Sequence, residues 1–270
     1  MIPNIQKQRI IQYLKEGKRF DGRKTDEYRE IEVKLGISNK AEGSCSVKFG
    51  KTEVYAGVKM TIGEPYPDSQ DKGNLAVSAE LGPMASPDFD IGPPSIQAIE
   101  LGRIIDRGIR ESGVIDWKKL CIKEGEKVWT INLDLYAFND AGNLLDVAAL
   151  AGMIALANAK MPVYNEKEEK IEHELTKDNV PLIKENMAFN MTFHKINNQI
   201  VCDVVKEEEE ISDYRLSLAI ADNDGKPRIT AMQKGKEGAM SDEEVEKILD
   251  LVDSKFKELF PKIEKYVFGK

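Results

Sequence analysis

Residues 127–160, KVWTINLDLYAFNDAGNLLDVAALAGMIALANAK, constrain the fold more than any other stretch of the chain. The first half alternates. Trp129, Ile131, Leu133, Leu135 and Ala137 share one face of an extended strand, and Thr130, Asn132, Asp134 and Tyr136 share the other. Residues 139–143, Asn-Asp-Ala-Gly-Asn, break the alternation with turn formers. From Leu144 to Ala159 nearly every residue is apolar or small, which predicts a helix that is hydrophobic on all sides and buried. The segment is shorter than the roughly 20 residues of a membrane span and contains Asp146, so it reads as a core helix. A turn feeding a helix N-terminus normally holds an anion on free backbone N–H groups. This turn carries no Lys or Arg, and Asp146 in the first helical turn suits the helix dipole but repels a phosphate. The stretch has the frame of an anion site without its charge.

The chain of 270 residues is long enough for one large domain or two smaller ones, and its 41% hydrophobic and 32% charged residues describe a globular protein. No window approaches twenty apolar residues and the N-terminus has no apolar leader, so the expectation is a cytoplasmic protein with no membrane association. Cys45, Cys121 and Cys202 stand alone in strand-like runs and read as free thiols. The two histidines, His173 and His194, lie near no cysteine, so no metal site is expected. A net charge of −8 argues against coating nucleic acid with the whole surface but leaves room for a local basic strip.

Taken in order, residues 5–16 predict a helix, with Pro3 ahead of it and Gly17 as its stop. Strands follow at residues 31–37, 44–49, 53–61 and 75–81, with a hairpin at Gly50-Lys51. Ser95 is the expected N-cap of a helix running to about residue 111. Ala98, Leu101, Ile104, Ile105 and Ile109 share one side of that helix, and Arg103, Arg107 and Arg110 line the other, flanked by Glu100 and Asp106. Gly102 and Gly108 imply close backbone packing. Residues 165–177 read as a surface excursion or linker. A second unit begins near Met187, with strands at residues 188–196, 199–205, 215–221 and 228–233 and a solvated acidic run at 207–210. Ser241 with Glu244 forms a capping box for a final helix presenting Ile248, Leu249, Val252 and Phe256, which Pro261 should kink or end. The plan is α+β: an N-terminal helix and arm at residues 1–30, then two successive sheet-plus-helix units at 31–165 and 187–270.

These stretches together resemble the ribonuclease PH family over nearly the whole chain. The carriers are RFDGR (residues 19–23), the hairpin EGSCSVKFGKTEVYAGV (42–58), the arginine helix SIQAIELGRIIDRGIRES, and the central strand and turn. VCDVVKEEEE (201–210), RLSLAIA and ITAMQKGKEGAMSDEEV (229–245) complete the set. Within the family the chain resembles the non-catalytic, larger ring subunits of the archaeal exosome. The resemblance implies an RNase PH-like fold. It also implies a hexameric ring of three heterodimers with a catalytic RNase PH-like paralogue, RNA-binding cap subunits, and single-stranded RNA degraded from its 3′ end. Phosphate and Mg²⁺ are implied for the assembled complex, and no cofactor is assigned to this chain.

Active members of the family carry Gly-Gly-Ser/Thr-Arg in the turn to seat the attacking phosphate. The matching positions here are Ala141, Gly142, Asn143 and Leu144, so leucine replaces the arginine and cannot supply charge-assisted hydrogen bonds. Gly142, Asn143 and Leu144 thus form a degenerate phosphate site. Active members also keep two aspartates six residues apart; Asp203 matches the first, and Glu209 stands at the second, a degenerate acidic site. No catalytic residue is expected in this chain. By pattern alone Arg103, Arg107 and Arg110 read as a solvated face, whereas the resemblance places their helix on the ring channel and makes them expected RNA-phosphate ligands. Arg19 and Arg23 read as structural partners of carboxylates, and Trp117 and Trp129 as core or interface. The alternatives are an independently active phosphate-dependent 3′–5′ exoribonuclease using Asp203 and Glu209, and a structural spacer whose arginines pair internally.

Overall fold

The computed structural model describes residues 2–165, 168 and 170–269. Helix α1 (Asn4–Lys15) follows Pro3 and stops where Gly17 turns to positive φ. The alternating runs then form β1 (Ile31–Leu35), β2 (Gly43–Phe49), β3 (Thr52–Gly63) and β4 (Asn74–Leu81). Next come α2 (Ile96–Ser112), the short β5 (Cys121–Lys123), the long β6 (Lys127–Asn139) and α3 (Leu144–Asn158). The first sheet has the order β1-β2-β3-β6-β4, with β5 also on β6. All its pairs are antiparallel except β4 with β6. The second sheet is built from β9 (Ala188–Ile196), β10 (Gln199–Cys202), β11 (Tyr214–Asn223) and β12 (Lys226–Gly235), in the antiparallel order β10-β9-β11-β12. The fold is α+β, and no helix is long and apolar enough to cross a membrane among the described residues.

Helix α3 is buried on every side from Leu145 to Leu156, as its composition requires. It packs against the first sheet and also against β9 and the final helix, α5 (Asp242–Phe268). One apolar core therefore runs from Val47 and Leu133 in the first sheet through Leu150 and Ile154 to Phe193, Leu218 and Phe256. Each such fully buried side chain contributes about 2 kcal/mol, an upper figure for a compact unfolded state. Helix α2 buries Ala98, Leu101, Ile104, Ile105 and Ile109. It crosses β4 at Gly102, where a Cβ would lie 3.2 Å from the Val77 carbonyl oxygen. It meets β11 at Gly108, where a Cβ would lie 3.1 Å from that of Ala219.

Four expectations from sequence are corrected or narrowed. Of the surface excursion or linker expected at residues 165–177, the linker reading fails, because β7 (Lys160–Asn165) and β8 (Lys170–Asn179) pair as a hairpin; residues 166, 167 and 169 lie outside the described residues. The acidic run 207–210 is not a solvated loop but the helix α4 (Lys206–Ile211), in which Glu208 is buried against Arg19. Of the kink or end expected at Pro261, the end does not occur: α5 continues through it, with Leu259, Ile263 and Val267 keeping one apolar face buried across the missing hydrogen bond. Leu249 is 42% exposed and lies off that face.

The tightest approach of α3 to the sheet is at Gly43, where a Cβ would fall 2.3 Å from the Ala155 carbonyl oxygen and 2.6 Å from Ala159 Cα. Both are backbone atoms of a clamped helix end and cannot rotate away. Gly43→Ala should therefore destabilise the chain by about 2 kcal/mol or more, read as a lower midpoint in denaturant unfolding.

Candidate functional site

Arg23 and Asn143, singled out in sequence, meet at one buried carboxylate, that of Asp203. Asp203, fully buried, leaves the sheet with φ of 43°, which ends β10 at Cys202 rather than at residue 205. Its Oδ1 accepts from Arg29 Nη2 at 2.7 Å and Asn143 Nδ2 at 2.9 Å. Its Oδ2 accepts from the Arg29 backbone N–H at 2.7 Å, from Arg29 Nε at 2.9 Å and from Arg23 Nη1 at 2.9 Å. Burial pushes this carboxyl up, and the hydrogen bonds and charge of Arg29, with Asn143, outweigh burial and hold it below its ordinary value. With both oxygens taken by donors, Asp203 does not fit a Mg²⁺ site with Glu209. Among the described residues no three His, Cys, Asp or Glu side chains are grouped to hold a metal.

Arg29 also donates to Thr52 Oγ1 and to the carbonyls of Ala141 and Gly142, so it fixes the turn onto the β2–β3 hairpin. Gly142 sits at φ of 92°, and a Cβ there would lie 2.6 Å from Val204 O and Lys206 N. Asn143 opens α3 in the left-handed region. Its backbone N–H donates to Glu209 Oε2 at 3.3 Å. The place where an anion would sit at this helix N-terminus is thus taken by the chain's own carboxylate. Burial and the charge of Asp140 raise the Glu209 pKa, against the opposing pull of Lys206, the Asn143 N–H and Arg215. Lys206 is itself committed to Asp140.

Leu144 lines a cleft of about 500 Å³ between α2, the turn and the second sheet, together with Asn143 and Glu209. Around it Asp88, Glu100, Asp140, Glu209 and Glu210 outnumber Lys206, Arg215 and Lys236. Arg215 is paired with Glu100 at 2.6 Å, and Lys236 caps the carbonyls that end α4. The surplus of carboxylates makes the cleft a poor place for a phosphate. Below the turn Asp146 is buried and accepts from Asn143 Nδ2, the Thr192 N–H and Thr192 Oγ1. Burial raises its pKa to about 7 despite the bonds from Thr192 and Asn143.

The arginine face of α2 divides in two. Arg110 is held by Asp106 at 2.8 Å and by the Leu75 carbonyl, over the ring of Trp117. Arg103 and Arg107 are exposed, and neither has a hydrogen bond or ion pair with any described residue. Glu100, the expected neutraliser, is turned to Arg215 instead. The two free arginines line a separate groove of about 310 Å³ between α2 and β11–β12, with Ile96, Ile99 and Met232 exposed along it. Arg19 and Arg23 are carboxylate partners as expected, of Glu208 and Asp203. Arg29, Lys206, Thr192 and His194 escaped the sequence reading; only Lys206, adjoining the acidic run, carried a local signal.

The family described as "3' exoribonuclease family, domain 1" matches residues 27–162, and "domain 2" of the same family matches residues 186–251. The chain is 41% identical to the exosome complex component Rrp42 of Thermococcus kodakarensis, over 99% of this chain and 97% of that protein. It is 40% identical to the Rrp42 of Methanothermobacter thermautotrophicus, over 98% and 96%. Among solved structures, a chain of the Archaeoglobus fulgidus exosome with RNA bound to the active site superposes with a TM-score of 0.84 at 39% identity, covering 95% of this chain and 98% of that one. A chain of an archaeal exosome core gives 0.80 at 36% identity, covering 96% and 97%.

Two outcomes follow from this geometry. Leu144→Arg alone should leave inorganic phosphate unbound by calorimetry, because Glu209 keeps the Asn143 N–H and captures the new guanidinium. Asp146 keeps its proton in the folded state to about pH 7, whereas the unfolded carboxyl loses it near pH 4. The unfolded state thus binds fewer protons across that window, and Asp146 makes stability fall as pH rises from about 4 to 7. Asp146→Asn can keep its contacts if Thr192 Oγ1 turns its hydrogen to Ser217 Oγ, 3.1 Å away. Denaturant unfolding of that variant between pH 4 and 7 should lack a falling component of at most ~1.4 kcal/mol per pH unit.

Proposed function

The chain belongs to the 3′ exoribonuclease, or RNase PH, family, and we propose that it is the catalytically silent ring subunit of an archaeal exosome degrading RNA from the 3′ end with phosphate. The observation that carries this reading is the turn before α3. Leu144 stands where active members place an arginine, and Glu209 fills the adjoining helix N-terminus with negative charge. Phosphorolysis needs a clamp on a multiply charged nucleophile, and here every nearby cation is matched or outnumbered by the chain's own oxygens. The chain does no chemistry by itself. It shapes the active site of a catalytic RNase PH-like paralogue, with which it alternates as three heterodimers in a six-membered cytoplasmic ring beneath RNA-binding cap subunits.

Arg103 and Arg107 contribute the second half of the role. They are exposed and uncompensated, on a helix whose other face is locked into the core. Such charges grip RNA phosphates without reading bases. Arg110, engaged by Asp106 and Leu75, orients the helix face rather than contacting RNA first.

The purified chain with phosphate, Mg²⁺ and a 3′-tailed RNA should release no nucleoside diphosphates, and adding the catalytic paralogue should raise activity well above that of the paralogue alone. In the assembled ring, Arg103→Ala and Arg107→Ala should each flatten the slope of log affinity against log salt by roughly 0.7 for single-stranded RNA. The ring mass should stay unchanged. An unaltered slope would make the subunit a spacer.

A further inference from the structure

Helix α1 and the turn that follows it are charged against the rest of the chain. Residues 1–24 hold seven Lys and Arg against two acids, Glu16 and Asp21, in a chain whose net charge is −8. Arg19 and Arg23 are committed to Glu208, Asp21 and Asp203. Lys7, Arg9, Lys15 and Lys18 are exposed, and none of their side chains has a hydrogen bond or ion pair with any described residue. Like charges gathered without counter-charge repel one another, and a bound polyanion relieves that repulsion.

Ile10 and Leu14 anchor the helix on Ile196, Val201, Val204 and Ile211, at the end of β9, on β10 and on α4. On the other side Ile5, Arg9 and Tyr13 recur every fourth residue and line one exposed face, with Gln12 beside them. Gly17 then turns the chain at φ of 71°, and the Lys18 N–H donates back to the Tyr13 carbonyl at 3.0 Å. The turn sets the Phe20 ring against the Tyr13 ring, with centroids 5.0 Å apart and planes at 56°. Tyr13 stays 36% exposed and Phe20 49%. Two open rings among uncompensated cations make the composition of a single-strand binding surface, in which cations follow the phosphates and rings stack the bases.

We propose that α1 and its turn form a second surface for single-stranded RNA, separate from Arg103 and Arg107, that holds the strand without reading its sequence. The second sheet runs β10-β9-β11-β12, so α1 sits at its β10 edge, whereas Arg103 and Arg107 line the groove over β11 and β12. With strands about 4.8 Å apart, the two basic surfaces are separated by the width of the sheet, on the order of 15 Å. A membrane or an apolar protein partner needs a continuous apolar face. Here Ile5 stands two turns, about 12 Å, from Tyr13, with Arg9 and Gln12 between them. An acidic peptide would answer the cations but leave both rings without a partner. Naming RNA as the strand rests on the function proposed above. The test is run without Arg103 and Arg107, so failure here leaves their role intact, and their failure leaves this surface intact.

The isolated full-length chain carrying Arg103→Ala and Arg107→Ala should still bind a fluorescein-labelled oligouridylate of about ten nucleotides, read as fluorescence anisotropy at low salt. In that background Arg9→Ala and Lys18→Ala should each flatten the slope of log affinity against log salt by roughly 0.7. Phe20→Ala should weaken binding about fivefold or more, and Phe20→Trp should restore it, a difference that charge alone does not produce. The midpoint of denaturant unfolding should stay unchanged in all of them, since these side chains are exposed. Competition by poly-L-glutamate as effective as that by unlabelled oligouridylate at equal charge would make the surface a dock for acidic protein. Retention on phosphatidylglycerol vesicles in preference to RNA would make it a dock for membrane. Either result would overturn the proposal, as would a chain that binds no RNA once Arg103 and Arg107 are replaced, or an affinity that Phe20→Ala leaves unaltered.

Discussion

The pairing of Arg29 with Asp203 governs this molecule. One guanidinium, almost wholly buried, reaches the β2–β3 hairpin through Thr52, the turn before α3 through Ala141 and Gly142, and the second sheet through Asp203. A buried ion pair adds little net stability when it is intact, yet losing one partner strands the other charge at a cost of about 3–5 kcal/mol. Its value lies in specifying geometry. Because Asp203 is pinned, Asn143 is pinned through it, and Asn143 in turn presents its backbone N–H to Glu209 and its amide to Asp146. The turn, α4 and β9 are therefore joined by one hydrogen-bond network.

That unit explains why the turn's neighbourhood has one charge character and α2 another. Around the turn, positive groups are consumed internally: Arg29 and Arg23 by Asp203, Arg19 by Glu208, Lys206 by Asp140. On α2 the diversion of Glu100 to Arg215 leaves Arg103 and Arg107 open to solvent. A chain of net charge −8 thereby keeps an exposed cationic pair beside an acidic cleft, although composition alone would suggest neither.

Most of the architecture was legible because it rests on periodicity. The alternation in β6, the apolar composition of α3 and the one-sided apolar face of α2 each have a single physical reading, and all three hold. What escaped depended on long-range partners. Nothing near residue 29 distinguishes its arginine from its neighbours, since its role is set by Asp203, 174 residues further on. The run 207–210 looked solvated because its charge density is high, but Arg19, 189 residues away, neutralises Glu208 and lets α4 lie against the body. Pro261 does not end α5 because the buried face of that helix outweighs one lost hydrogen bond. At the turn before α3, the absence of Lys or Arg was readable in the sequence, whereas the carboxylate that occupies the helix N-terminus became visible only in three dimensions.

A helix with no solvent-facing side also bears on how such a chain can emerge from a ribosome. Once β6 and α3 have been synthesised, the first sheet covers one flank of α3, while the surface that later meets Met191, Phe193 and Phe256 waits for segments not yet made. Until those residues arrive, the nascent chain displays a greasy stripe along that uncovered flank. Such an intermediate is prone to clump with its neighbours, so synthesis in the cell favours either rapid completion or a holding chaperone.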